Sequence, residues 1–240
     1  MNALLSPLCY ALGYLMGLAA FYAMARRRGI ATPGVMALMG AGLIGGLAGA
    51  NLSQWVFGGT AGKTVLGAVA FGYLSVFLYK RHLGITRPTG DLFAVALCAG
   101  EAVGRFGCYF GGCCYGVPVS RAIVPWAIWQ HGAWRHPTQI YLSLAALLIL
   151  GALLVYERRG PRENALFYLQ GLLYCLARFV IEFYREHPTP PVDGLTVAQW
   201  ACLGGCVFFA AQLTRLLRLP SPKEAASHAP VSPLRPAGRA

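Results

Sequence analysis

The stretch TQIYLSLAALLILGALLVY, Thr138 to Tyr156, runs nineteen positions without a charged side chain and is followed at once by Glu157, Arg158 and Arg159. As a helix it would rise about 28 Å, close to the hydrocarbon thickness of a bilayer, so it reads as a membrane span. The rest of the chain agrees. Of 240 residues 57% are hydrophobic, and only 12% are charged, against roughly 25% in a soluble domain. That composition excludes a water-soluble globule, and it excludes disorder for all but the tail. The 20 Lys+Arg against 8 Asp+Glu give a net charge of +12. These basic residues punctuate apolar runs instead of lining a stripe with stacking aromatics, which argues against a nucleic-acid partner.

Working outward, stretches of about 20 apolar residues predict seven spans: about 5 to 25, 34 to 57, 62 to 79, 91 to 107, 138 to 156, 164 to 184 and 195 to 217. The expected fold is an all-α polytopic membrane protein with one seven-span domain over residues 1–218. The fourth span is rich in Gly and Ala and is interrupted by Glu101 and Arg105, so it also reads as a half-helix packed inside the bundle. The first apolar run has no positive charge before it and no small-x-small cleavage site, and it is expected to be retained. Residues 219–240, with repeated Pro, Ala and Ser, are expected to form a disordered tail.

Fourteen of the 20 basic residues follow the first, third, fifth and seventh spans, among them Arg26, Arg27, Arg28, Lys80, Arg81, Arg158 and Arg159. Positive-inside bias then places the amino terminus outside and the carboxyl terminus in the cytoplasm. With that orientation Arg105, His136, Arg178 and Glu182 all come to the outer half of the membrane. Tyr10 and Tyr14, at i and i+4 on one helix face, share that depth.

An arginine in a span costs about 2.5 to 3.5 kcal/mol on insertion scales and calls for a partner or a function. Arg105 has Glu101 and Arg178 has Glu182 one turn away, which fits structural ion pairs. Two guanidinium groups at one depth also suit a phospholipid phosphate held bidentately. Between them the segment RFGCYFGGCCYG, Arg105 to Gly116, holds Gly107, Gly111, Gly112 and Gly116, with Gly104 just before it. Such a stretch is not an ordinary lipid-facing helix. A ligand-cradling loop and a tight helix-packing motif both fit it.

Eight cysteines are present, and only Cys108, Cys113 and Cys114 cluster. Packing thiols, a disulfide, and a reactive thiol or metal ligand are all open for them. Zinc would need a fourth ligand such as His136, and the spacing matches no standard finger, so neither a metal nor a cofactor is expected. Trp126, Trp129 and Trp134 read as an interfacial belt.

The segment RFGCYFGGCCYG, then HPTQIY at His136 to Tyr141, LYCLARFVIEFYR at Leu173 to Arg185, GLTVAQW at Gly194 to Trp200 and YALGYLMG at Tyr10 to Gly17 resemble the prolipoprotein diacylglyceryl transferase family. The resemblance runs from about residue 8 to 217 in the right order. It implies a bacterial inner-membrane enzyme with seven spans and its amino terminus outside. It also implies transfer of a diacylglyceryl group from phosphatidylglycerol to the thiol of a lipobox cysteine in a prolipoprotein signal peptide. Arg105 and Arg178 match the family's two arginines, and Tyr10, Tyr14, Gly116, Tyr174, Glu182 and Arg185 match other family positions. Gly107, Cys108, Gly112 and Cys113 lie in the matching glycine segment and join these as candidate substrate-binding residues.

Three departures stand out. The family's histidine near the outer end of the third span is Leu66 here, its Asn and Glu in the glycine segment are Cys108 and Cys113, and the Glu after HPxQxY is Leu142. Leucine cannot accept a proton. Either that histidine is not the essential base, or His136 or His131 substitutes, or the chain is a divergent paralogue that binds phospholipid or uses another acceptor. A membrane thiol-redox protein built on the cysteine cluster is a further alternative. Of these residues His136, at the start of the fifth span, is the expected base alongside the two arginines.

Overall fold

A computed structural model describes residues 4–57, 65–187 and 193–219, with side chains omitted at 53–57 and 65–66. Leu66 and the tail beyond Leu219 therefore lie outside the described side chains and residues. Among the described residues seven helices dominate: α1 (Leu5–Arg27), α2 (Pro33–Phe57), α3 (Val65–His82), α4 (Gly90–Phe110), α5 (Thr138–Glu157), α6 (Ala165–Glu182) and α7 (Val197–Arg218). A two-stranded antiparallel hairpin, β1 (Ile128–Gln130) and β2 (Ala133–Arg135), sits between α4 and α5. All the helices except α3 are long and apolar enough to cross a membrane. The eighteen described residues of α3 end in Lys80, Arg81 and His82, whose charge and polarity offset its apolar start. The chain is a multi-pass membrane protein.

The ambiguous fourth span is a full 21-residue helix and also an interior one. Half of its apolar window is buried, against 6% for α7, which puts α4 at the centre of the bundle and α7 at its edge. Small residues make that position possible. A Cβ on Gly13 would stand 2.9 Å from the Gly100 carbonyl and 3.0 Å from Gly104 Cα, so the backbones of α1 and α4 touch. This is the close approach that GxxxG spacing permits where helices gain little from expelling water. α2 and α3 meet in the same way, with a Gly72 Cβ placed 3.3 Å from the Gly42 carbonyl. Phe21, Met24, Leu92, Val95, Leu153 and Leu166 form the main apolar core, where α1, α4, α5 and α6 converge.

Alternating helix directions give the bundle two chemically different ends. At one, Arg28 closes α1 and donates from Nη1 to Asp91 (2.7 Å) and from Nη2 and Nε to Glu157 (2.5 and 2.9 Å). Asp91 also accepts from the backbone N–H groups of Asn164 and Phe167, both at 2.9 Å, so Arg28 and Asp91 between them tie the end of α1 to α4, α5 and α6. Sequence reading treated Arg28 only as one of a basic cluster. Its partners, 63 and 129 positions away, are a product of the fold. The other end gathers the start of α1, the end of α4, the hairpin, the start of α5, the end of α6 and the start of α7.

Candidate active site

α4 carries Arg105 one turn beyond Glu101, and the two form an ion pair to which Arg105 Nε adds a 2.8 Å hydrogen bond. Tyr174 on α6 donates from its hydroxyl to the same Glu101 oxygen at 3.5 Å. One turn further along α6, Arg178 pairs with Glu182 at 2.6 Å, and Arg185 lies 3.7 Å from the same carboxylate oxygen. Arg178 is in electrostatic range of both Arg105 and Arg185, so the two ion pairs form one group. Three guanidinium groups share two carboxylates there. Among the described residues Arg178 Nη1 and Arg185 Nε are buried without a hydrogen-bond partner, and Glu182 Oε2, though ion-paired with Arg178, makes no hydrogen bond either. Leaving buried donors unsatisfied costs about 1 to 3 kcal/mol each, more when charged, and an anion that accepts from them would recover that cost.

The glycine segment divides into two parts. Both readings left open for it apply, each to one part: α4 stays helical through Phe110, with Gly107 used for packing. A Cβ on Gly107 would meet the Tyr10 ring at 2.9 Å, and Ser6 Oγ donates to the Gly107 carbonyl at 2.9 Å. Beyond Phe110 the chain turns back through Gly112 (φ +65°) and Cys114 (φ +59°). This half-exposed loop has three successive carbonyls met by side chains. His131 meets the Gly112 carbonyl at 2.8 Å, Gln139 donates to Cys113 at 2.8 Å, and Thr138 donates to Cys114 at 2.7 Å. Gly116 then runs between His136 and Arg185, where a Cβ would strike the Tyr184 carbonyl at 2.6 Å. The backbone N–H groups of Gly116 and Val117 donate to His136 and Tyr184.

The segment HPTQIY therefore supports the loop with Thr138 and Gln139, residues that sequence reading had quoted without a role. Their position just after the histidine is the signal that was available. Arg135 was also missed. It is 8% exposed, donates to the carbonyls of Gln130 and Gly116, pairs with Glu186 and lies over the Tyr115 ring. The start of α7 has a similar structural task. Thr196 and Gln199 form a reciprocal capping box, and buried Gln199 reaches the Phe179 carbonyl on α6 at 3.4 Å.

The expected site residues are not equally placed. Tyr10 reaches the site, its hydroxyl donating to Cys108 Sγ at 3.3 Å, whereas Tyr14 one turn on is 45% exposed. His136 lies beside the loop, with its ring 5.0 Å from Tyr184 and Nδ1 3.2 Å from the Tyr141 hydroxyl. Tyr141, not an arginine or a carboxylate, is its hydrogen-bonding side chain. Burial holds its imidazole below the ordinary histidine range, so it is neutral at pH 7 and can accept a proton. Leu142, where sequence comparison expected an acid, is 2% exposed and belongs to the core. Cys114 is pulled well below the ordinary thiol range, first by hydrogen bonds from the Cys108 and Cys113 thiols and then by the charges of Arg185 and Arg105. Trp129 stacks edge-on with Trp134, and exposed Trp126 donates to Tyr141 at 2.7 Å.

A family model described as prolipoprotein diacylglyceryl transferase matches residues 7–215. A phosphatidylglycerol–prolipoprotein diacylglyceryl transferase of Clostridium tetani is 32% identical over 150 residues, covering 59% of this chain and 59% of that protein. One of Thermotoga maritima is 32% identical over 203 residues, covering 71% and 68%. One of Gloeobacter violaceus is 33% identical over 174 residues, covering 68% and 64%. The match thus spans less than two thirds of the Clostridium and Gloeobacter relatives.

Proposed function

Because this chain belongs to the prolipoprotein diacylglyceryl transferase family, a family of transferases, we propose that it moves a diacylglyceryl group from phosphatidylglycerol to the thiol of a lipobox cysteine. The observation that carries this reading is the arginine group: three guanidiniums over two carboxylates, with Arg178 Nη1 and Arg185 Nε buried and unpartnered among the described residues. In this reading the phosphate of the lipid accepts from those donors and from Arg105. The thiolate sulfur attacks the glyceryl carbon, a carbon–sulfur bond forms, and the bond from that carbon to the phosphate oxygen breaks. The electron pair leaves with glycerol phosphate, whose growing charge the arginines stabilise. The thiol proton passes to a base, for which neutral His136 is the candidate, and then to water.

Tyr174 fixes Glu101, and Glu182 orients Arg178 and Arg185, so these three residues shape the phosphate site. Tyr10, Gly107, Gly112, Gly116, Cys108 and Cys113 form the wall where the acceptor enters, with Tyr14 at its lipid-facing rim. The site end of the bundle faces outward from the bacterial inner membrane, with the amino terminus of the domain of residues 1–218 outside and the carboxyl terminus cytoplasmic. A carboxyl-terminal phosphatase fusion should be inactive, and activity in the periplasm would reverse this orientation. The function is tested by complementing a transferase-depleted bacterium and weighing a model prolipoprotein by mass spectrometry. A diacylglyceryl increment on the lipobox cysteine is expected, and an unmodified protein in complemented cells would refute the reading. A thiol-redox protein has the cysteine cluster in its favour but leaves the arginine excess without a task.

A further inference from the structure

The sulfur atoms of Cys108, Cys113 and Cys114 all lie within 4.8 Å of one another. We propose that these three cysteines form a thiolate site for a zinc-class cation, with one coordination position open to an incoming thiol. Zinc–sulfur bonds of about 2.3 Å place neighbouring sulfurs about 4 Å apart, so the cluster needs little adjustment to close on an ion. Its placement is also prepared by the fold. Cys108 is fixed on the last turns of α4, while Gly112 and Cys114 take left-handed backbone conformations that double the chain back. A cysteine at φ +59° is held there only where the surroundings enforce it, and the side chains of His131, Gln139 and Thr138 on three successive carbonyls do so.

The surroundings suit a thiolate complex. Three thiolates and a divalent ion carry one net negative charge, and Arg105 and Arg185 both act on Cys114 electrostatically. The Tyr10 hydroxyl, donating to Cys108 Sγ, supplies an outer hydrogen bond of the kind that orients metal ligands. His136, the fourth ligand suggested by sequence, is instead engaged with Tyr141 and Tyr184. Among the described residues the ligand group comprises the three thiols alone. Three protein ligands with a free position is the arrangement of catalytic rather than structural zinc. Cys113 is exposed, which gives the ion and an external ligand a way in.

This inference extends the transfer reading in one respect: an acceptor thiol bound at the fourth position would exchange its S–H bond for an S–metal bond and release the proton to water. It would then be held as a thiolate without the histidine that Leu66 replaces. Metal binding itself does not depend on that reading.

The test uses the full chain in detergent, reduced with a phosphine so that no added thiol competes, and titrated with Co2+. One equivalent per chain with a sulfur-to-cobalt charge-transfer band, displaced by Zn2+, is expected. C113S and C114S should each weaken binding at least tenfold, while C202S and C206S, in the separate group around Cys175, should leave it unchanged. Thermal unfolding of the metal-free variants establishes that they fold. A lipobox peptide should shift the cobalt ligand-field bands, and its Cys→Ser counterpart should not. Absence of the charge-transfer band, or a band kept in both C113S and C114S, overturns the site. A normal band that the cysteine peptide leaves unmoved overturns the open position alone. Absence of lipid transfer with a normal cobalt spectrum would count against the proposed function and not against the metal site.

Discussion

The two ends of the bundle use the same residue types to opposite effect. At the Arg28 end one guanidinium serves two carboxylates, and Asp91, 1% exposed, has its oxygens further satisfied by two backbone N–H groups. At the Arg178 end three guanidiniums serve two carboxylates, and buried donors on Arg178 and Arg185 are left over. A satisfied network holds helices together, whereas an under-satisfied one with excess positive charge is ready for an anion. In this chain the arginine whose hydrogen bonds close within the protein braces helices, and those with open donors mark the candidate site.

Asp91→Asn should show the largest effect of breaking this contrast. Uncoupling Arg28 from a buried carboxylate is expected to cost about 3 to 5 kcal/mol in stability. Denaturant unfolding in detergent would report it, and transfer rate per folded chain should be unchanged. Arg178→Lys should do the reverse, lowering turnover about 100- to 1,000-fold with little change in stability, because an ammonium keeps the charge but loses the planar fork. An equal loss of stability in the two variants would erase the distinction between the ends.

Much of this was legible from sequence. The α5 run between His136 and Arg158 reads as a span by length alone, and Arg105 and Arg178 stand out because lipid makes their charge expensive. The Gly and Ala content of α4 left its path open, since small residues fit both a short inserted helix and a close-packed full one. The contact of Gly13 with Gly100 and Gly104 decides it. Which donors remain unpaired was not readable. The i, i+4 spacing of Arg178 and Glu182 predicts an ion pair but says nothing of Nη1, which the fold buries beside Arg105 and Arg185. Thr138 and Gln139 were equally silent, because the carbonyls they serve are 24 and 26 residues away.

Smaller effects sharpen the comparison. Gly13→Ala places a methyl against the Gly100 carbonyl at 2.9 Å and should cost about 1 to 3 kcal/mol by forcing α1 from α4, which unfolding would measure. His136→Gln should lower turnover at neutral pH, where the imidazole is the neutral proton acceptor, and above all change the pH profile. The wild-type imidazole, its pKa held low by burial, loses its proton before pH 6.5 is reached. Transfer should therefore rise with pH below that value and level off near neutrality, and the variant should lose this acid limb. An unchanged profile would leave thiol activation to the positively charged site.

The central claim is that unpaired arginine donors hold a lipid phosphate, and equilibrium binding of a labelled phosphatidylglycerol to the detergent-solubilised chain tests it most directly, with the matching diacylglycerol as the phosphate-free control. Wild type should bind the phospholipid at least tenfold more tightly than the diacylglycerol, and an Arg105→Lys, Arg178→Lys double variant should lose that preference. Equal affinity of wild type for the two lipids, or an undiminished preference in the double variant, would contradict the claim.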